Sequence, residues 1–188
     1  MMKHFFLSLV LFIGIQNITH ASSITDSLQK QLTGKKDTIE VMLLSELCWQ
    51  FCNNSIDSAL IFGEKALAMS TEINYQKGIA QAYNDIGIAH YYGGQFSEAI
   101  QAYQRSLTIR QQLGNKRDIA ATYNKLGIVY QKLSKFTEAI YYNLLALKLF
   151  EEIDYGQGIC YGYNNVAIIY DNLGNLDKAI FTIKKVLT

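Results

Sequence analysis

The sequence predicts an all-α fold, a solenoid of about four stacked helical hairpins. The segment YNKLGIVYQKLSKFTEAI, which starts at Tyr123, has close counterparts 40 residues earlier at Tyr83 and 40 residues later at Tyr163. Within each copy, apolar residues recur at intervals of three and four, the period of an amphipathic helix. The chain contains no proline, which suits uninterrupted helices. A fixed period in this range is typical of stacked repeats that bury their apolar faces against each other.

The composition limits the classes of partner. Hydrophobic residues make up 49% of the 188 residues and charged residues 18%, so the chain is not a disordered tail. The formal net charge is +1, which gives no electrostatic footprint for nucleic acid or for an anionic membrane surface. We therefore expect no nucleic-acid partner for this segment.

The first 21 residues have the layout of a secretory signal peptide. A mostly apolar run from Phe5 to Ile15 follows a short, weakly basic start, and it is too short for an ordinary membrane span. The small residues Thr19 and Ala21 stand at the −3 and −1 positions of a cut after residue 21. This predicts an exported protein, periplasmic or otherwise extracytoplasmic. The alternative is an uncleaved N-terminal anchor; the only other route to a membrane is a segment after the last residue.

The rest of the chain divides into a lead-in and four blocks. Residues 22–38 are a polar lead-in with a short helix, 39–78 a divergent first repeat, 79–118 the second and 119–158 the third. Residues 159–188 are a fourth repeat that stops short of the length of the others. Each block reads as two helices separated by a polar turn. One position early in the second helix holds residue types that cap helix N-termini: Asp57, Ser97, Thr137 and Asp177.

A small residue recurs in the middle of each first helix. Gly87, Gly127 and Ala167 share one position. Glycine in a helix interior costs about 1 kcal/mol relative to alanine, so its repeated use predicts a close approach of the second helix. The alanines at 59, 99, 139 and 179 are the small residues expected to face it.

The recurring residues resemble the tetratricopeptide repeat over roughly 39–188. In the second block Tyr83, Ile86, Gly87, His90, Ala99 and Tyr103 follow the order and spacing of that family. The chain departs from the family in its 40-residue period, longer than the usual one, in the missing proline, and in Gly63 and Asn143 at a position usually aromatic. The resemblance implies a right-handed solenoid whose first helices line a concave face.

An asparagine follows the packing tyrosine in three blocks, about 100° round the helix from the packed seam. In the resembled family an asparagine at this position often binds a peptide backbone, which implies a peptide-binding groove. The residues expected to line it are Gln81, Asn84, Ile88, Tyr91, Asn124, Ile128, Gln131, Lys132, Tyr161, Asn164, Ile168 and Asp171. The alternative is a structural ladder, in which the asparagines bond to each other or to the backbone of adjacent repeats.

The chain shows no pattern for catalysis or metal binding. Cleavage would leave His90 as the one histidine, at a packing position. Cys48, Cys52 and Cys160 are an odd number, and the first two are read as small buried residues rather than as a redox or metal pair. We find no phosphate loop, zinc helix or nucleophile elbow, so the sequence predicts no enzyme and no cofactor.

These observations predict a non-catalytic scaffold that binds a peptide or partner helix of a protein we cannot name. The alternative, implied by resemblance to exported repeat regions of bacterial signalling proteins, is a sensory input region. Its histidine kinase or transcriptional output domain would lie beyond residue 188.

Overall fold

The computed structural model describes residues 24–185, and within that range it contains nine helices and no strand. They are α1 (residues 24–31), α2 (Thr38–Phe51), α3 (Ile56–Glu72), α4 (Gln76–Tyr92), α5 (Phe96–Leu113), α6 (Lys116–Lys132), α7 (Phe136–Glu152), α8 (Gly156–Asn172) and α9 (Leu176–Lys184). The predicted all-α repeat fold is confirmed.

Eight of these helices form four antiparallel pairs: α2 with α3, α4 with α5, α6 with α7 and α8 with α9. Each helix also packs against the next one along the chain, and α2 contacts α4 as α6 contacts α8. A two-helix unit cannot bury its apolar side alone, so neighbouring pairs cover each other. We call the side of the array formed by α2, α4, α6 and α8 the first-helix face.

A residue with left-handed backbone stands at nearly every turn, at intervals of 20 residues. A positive φ suits glycine, which has no Cβ, and asparagine and aspartate tolerate it better than other residues do. The seven positions are Gly34 (φ 74°), Asn74 (55°), Gly94 (73°), Gly114 (74°), Ser134 (57°), Asp154 (50°) and Gly174 (69°). The turn between α2 and α3 is the exception. This 20-residue rhythm reverses the chain twice in each repeat.

The first and second helices of a pair approach closely at the recurring glycine. A Cβ built on Gly87 would lie 2.6 Å from the ring of Tyr103, and one on Gly127 would lie 2.4 Å from Nδ2 of Asn143. The predicted close approach is confirmed, with one correction. The side chains that fill the space come from one helical turn beyond the alanines expected to face the glycines.

The predicted helix caps are wrong by two residues. The second helices begin directly after a tight turn, so Asp57 and its equivalents lie inside the first turn. Ser55 Oγ accepts a hydrogen bond from the amide of Ser58 at 3.3 Å, and Asn175 Oδ1 accepts one from the amide of Lys178 at 3.2 Å. The cap positions of α5 and α7 make no side-chain cap bond.

Glu40 ties the segment after α1 to the first pair. Its carboxylate accepts hydrogen bonds from the amides of Thr33 (3.0 Å) and Gly34 (2.9 Å), which lower its pKa. Leu32 packs against the buried residues Leu44 and Ala66. The first pair therefore has a covered outer side.

Cys48 and Cys52 are buried, as their interpretation as small packing residues predicts. Cys48 and Cys52 are 0% and 3% exposed, and Cys52 Sγ donates to the carbonyl of Cys48 at 3.2 Å. Cys160 is exposed, and all three thiols are free.

The expected signal peptide, residues 1–21, lies outside the described residues. Among the helices within 24–185, none is long and apolar enough to cross a membrane.

Candidate functional site

A cavity of about 540 Å³ opens on the first-helix face between α2 and α4. The C-terminal end of α5 and the first turn of α6 complete its wall. Its apolar lining includes Val41, Met42, Trp49, Ala80, Ile88 and Leu113, and its polar lining includes Ser45, Glu46, Gln81, Asn84, Asp85 and Arg110. A concave, mainly apolar site with a few converging polar groups is the usual form of a ligand site.

Helix α4 places polar side chains at this cavity although neighbouring helices cover it on several sides. It packs against α2, α3 and α5, and six consecutive residues from Asn84 to Ala89 are buried. A helix covered all round is normally apolar all round. Asn84 and Asp85 break that rule, with exposed fractions of 4% and 5%. Two buried polar residues in sequence need a reason, and the cavity beside them supplies one.

The Asp85 carboxyl group is only half satisfied. Its Oδ1 accepts hydrogen bonds from Gln81 Nε2 at 2.7 Å and from Asn84 Nδ2 at 3.0 Å. Asp85 Oδ2, Asn84 Oδ1 and Ser45 Oγ are buried without a hydrogen-bond partner. Ser45 lies close enough to lower the pKa of the carboxyl but not at hydrogen-bonding geometry. Burial outweighs these contacts and raises the pKa of Asp85 to about 6.

Arg110 closes the far wall of the cavity without pairing with Asp85. One guanidinium nitrogen donates to Thr122 Oγ1 at 2.7 Å and to the carbonyl of Asp118 at 3.2 Å. The other donates to Gln81 Oε1 at 3.0 Å. Burial lowers the pKa of Arg110, and it lowers that of Lys125 to about 8. Arg110 thus joins α4, α5 and α6 around the cavity.

Amides link the third and fourth pairs. Asn165 Nδ2 donates to Asn124 Oδ1 at 2.7 Å and to Asn143 Oδ1 at 3.4 Å. Asn143, which is fully buried, donates in turn to the carbonyl of Ala139 at 2.8 Å. The sequence offered an amide ladder as an alternative to peptide binding. One amide link of this kind joins the third and fourth pairs, but it runs from Asn165 rather than from Asn164.

The residues expected to line the groove fall into distinct settings. Gln81, Asn84 and Ile88 line the cavity together. Tyr91 is half-buried, with its ring centroid 5.7 Å from that of Tyr92 and 6.0 Å from that of Phe96. The others lie outside the cavity: Asn124, Ile128 and Gln131 are half-buried, and Lys132, Tyr161, Asn164, Ile168 and Asp171 are exposed.

The sequence reasoning missed the acid at the centre of the site and its neighbours Ser45, Trp49 and Arg110. A signal was present. The position after the recurring asparagine holds Ser45, Asp85, Lys125 and Asn165, a polar residue in every block, although it lies within the packed array. Asp85 is buried and the other three residues are half-buried, and polar residues at such a position mark either a hydrogen-bond network or a ligand site.

No group of three or more His, Cys, Asp or Glu side chains in the described part of the chain is placed to hold a metal ion.

The helix pairs and their shared first-helix face define an all-α repeat protein of stacked helical hairpins. A family model for the tetratricopeptide repeat matches residues 49–112 and 118–188, most of the chain. The chain belongs to the tetratricopeptide repeat family.

Several solved structures share the fold. Aspartyl phosphate phosphatase F from Bacillus subtilis matches with a TM-score of 0.81 and 18% identity, over 94% of this chain and 48% of that one. A Rap protein complexed with competence and sporulation factor matches with a TM-score of 0.77 and 21% identity, over 94% and 51%. A signal transduction ATPase with a tetratricopeptide repeat sensor, from Pyrococcus horikoshii, matches with a TM-score of 0.79 and 18% identity, over 93% and 28%.

At these identities the likeness shows the fold alone. The chain spans about half the length of the first two proteins and less of the third. None of the curated protein sequences is similar enough to the chain to count as a relative.

Proposed function

We propose that this chain is a non-catalytic binding module that holds a peptide segment of a partner protein on its first-helix face. The observation that carries the proposal is the cavity between α2 and α4, with buried polar atoms that lack a partner. Unsatisfied buried polar groups are destabilising, and they are retained where a ligand completes them.

The dimensions favour a peptide that inserts one side chain. The cavity, at about 540 Å³, lies in the range of small-ligand sites, so it has room for a long side chain. Packed helices lie about 8–10 Å apart, and an extended peptide rises about 3.3 Å per residue. About three ligand residues would therefore span one hairpin. Tyr161 and Ile168, 56% and 42% exposed, offer apolar contacts further along the face.

Fold relatives support the proposal by analogy. One of them is a Rap protein crystallised in complex with competence and sporulation factor. The second candidate function, a sensory input region of a bacterial signalling protein, is favoured by likeness to an ATPase that has a tetratricopeptide repeat sensor. It would use the same first-helix face. Export from the cytoplasm is a further part of the proposal, based on the sequence of residues 1–21.

A selection from a displayed library of random dodecapeptides tests the proposed function. Enriched peptides are synthesised and titrated calorimetrically against the full chain and two variants. Met42→Arg places a long charged side chain at the cavity, and because Met42 is 65% exposed we expect the variant to fold. Ile39→Arg is the matched control, since Ile39 lies on the same helix, is 67% exposed and does not line the cavity.

We expect enriched peptides that bind the wild-type chain and Ile39→Arg equally and Met42→Arg at least several-fold more weakly. The proposal is wrong if no peptide is enriched, or if all enriched peptides bind both variants as they bind the wild type.

A further inference from the structure

We propose that the cavity selects a basic side chain of the bound peptide, lysine or arginine, and that Asp85 at its floor receives the cationic group. This inference rests on the proposed function, because it specifies what the first-helix face recognises.

Three residues that line the cavity carry buried polar atoms without a partner, and these atoms are matched to a donor. Asp85 Oδ2 and Asn84 Oδ1 can only accept hydrogen bonds, and Ser45 Oγ can accept or donate. One of the two N–H groups of the Asn84 amide is already used on Asp85. A ligand carboxylate or carbonyl would therefore meet mainly acceptors, whereas an ammonium or guanidinium group brings three or five donors and no acceptor.

The charges of the protein leave the Asp85 carboxylate available. The charge of Arg110 acts on Asp85, but three of the five guanidinium donors are used on Gln81, on Thr122 and on the carbonyl of Asp118. Lys125 lies close enough for its charge to act on Asp85, yet among the described residues Asp85 forms no ion pair.

The side chains at the rim of the cavity carry charges of both signs. Glu46 and the side chain of Asp118 add negative charge, and Lys77 adds positive charge. Asp85 is the acid buried at the floor, so an entering cation leaves water for a carboxylate that already lacks it. Such a pair forms without the full cost of desolvating an exposed acid.

Trp49 supplies the remaining contact that a basic side chain uses. It lines the cavity and is 47% exposed, so a ring face is open to a ligand. Cations are attracted to aromatic faces, most strongly to tryptophan. The apolar stem of a lysine or arginine can pack on Val41 and Ile88 while its head reaches the acid.

The test uses the peptides enriched from the random dodecapeptide library, synthesised with an acetylated N-terminus. Each basic residue is replaced in turn by norleucine, which keeps an apolar stem and removes the charge. The original and the substituted peptide are each titrated at pH 7.5 against the wild-type chain, Asp85→Asn and Glu64→Gln. The matched control is Glu64→Gln, because Glu64 is an exposed acid on α3 that does not line the cavity. Circular dichroism verifies that each variant is folded.

We expect one basic residue whose replacement weakens binding to the wild type by about tenfold or more, the range of a hydrogen bond to a charged group. The same replacement should make little difference to binding by Asp85→Asn, and Glu64→Gln should behave as the wild type. Enriched peptides that bind without any basic residue would overturn the inference and leave the proposed function standing. Loss of binding on acetylation of the N-terminus would mean that the α-amine is the cation, which also overturns it. A selection that enriches no peptide would remove the proposed function and the inference together.

Discussion

Replacing Gly127 by valine should destabilise the fold through a specific collision. An added Cβ would lie 2.4 Å from Nδ2 and 2.7 Å from Cγ of Asn143. A flexible surface side chain could swing away, but Asn143 is fully buried, bonded to the carbonyl of Ala139 and approached by Asn165. The valine can be accommodated only if this amide leaves its position.

The expected magnitude follows from three contributions. Overpacking a core position costs about 1–3 kcal/mol. A buried amide that loses its partner costs about 1–3 kcal/mol more. Valine has a better helix propensity than glycine by a few tenths of a kcal/mol, which offsets little. We expect Gly127→Val to lower the free energy of unfolding by about 1.5–5.5 kcal/mol.

Urea denaturation followed by circular dichroism measures this loss, provided that the slope with denaturant is unchanged. The matched control is Gly156→Val at the start of α8, where a Cβ would meet nothing within 4 Å. It should change stability by less than about 0.5 kcal/mol. A double variant that also carries Asn143→Ala should recover part of the loss. Equal stability of the two glycine variants would refute the packing argument.

Three further predictions concern ionisation, the amide ladder and export. Burial raises the pKa of Asp85 from 3.8 to about 6, so the ionised form of Asp85 disfavours folding. The protonated carboxyl therefore stabilises the fold at low pH, and this stabilisation is lost as the pH rises through 6. Relative to Asp85→Asn, the wild-type chain should lose about 2 kcal/mol of unfolding free energy between pH 4 and pH 7, and a constant difference would contradict this. Asn165→Ala should cost about 1 kcal/mol of stability by removing the bond to the neighbouring pair, whereas Asn164→Ala, at an exposed site, should cost under about 0.5 kcal/mol; equal costs in denaturation would count against the ladder. Mass spectrometry of protein from its natural host should find a chain that begins at Ser22, and an intact N-terminus on a cytoplasmic protein would disprove export.

Much of the fold could be predicted because the residues that pack the two helices together recur in each repeat. Tyrosine, glycine and alanine recur at fixed positions, and any one copy shows how two helices meet. The cap positions could not be located to the residue, because the helix start depends on the geometry of the preceding turn. The side chains that face Gly87 and Gly127 were also missed, because which helical turn comes opposite depends on how far one helix slides along the other.

The candidate site was only partly predictable, since its character depends on contacts between repeats. Asn84, Asn124 and Asn164 are the same residue at the same repeat position. One is buried beside Asp85, the second bonds to Asn165 and the third is exposed. The contacts of each asparagine depend on the next residue in its own helix or on a neighbouring helix pair. A pattern within one repeat does not contain that information.

The most direct test of peptide binding at the cavity uses the single tryptophan of the chain. Trp49 lines the cavity, so a protein labelled with 5-fluorotryptophan gives one fluorine resonance that reports on this site. A peptide that calorimetry shows to bind is added until the protein is saturated. Our account predicts that the resonance shifts or broadens in step with the calorimetric isotherm in the wild type and in Ile39→Arg. A resonance that stays unchanged while the peptide binds in full would show that the ligand site lies elsewhere.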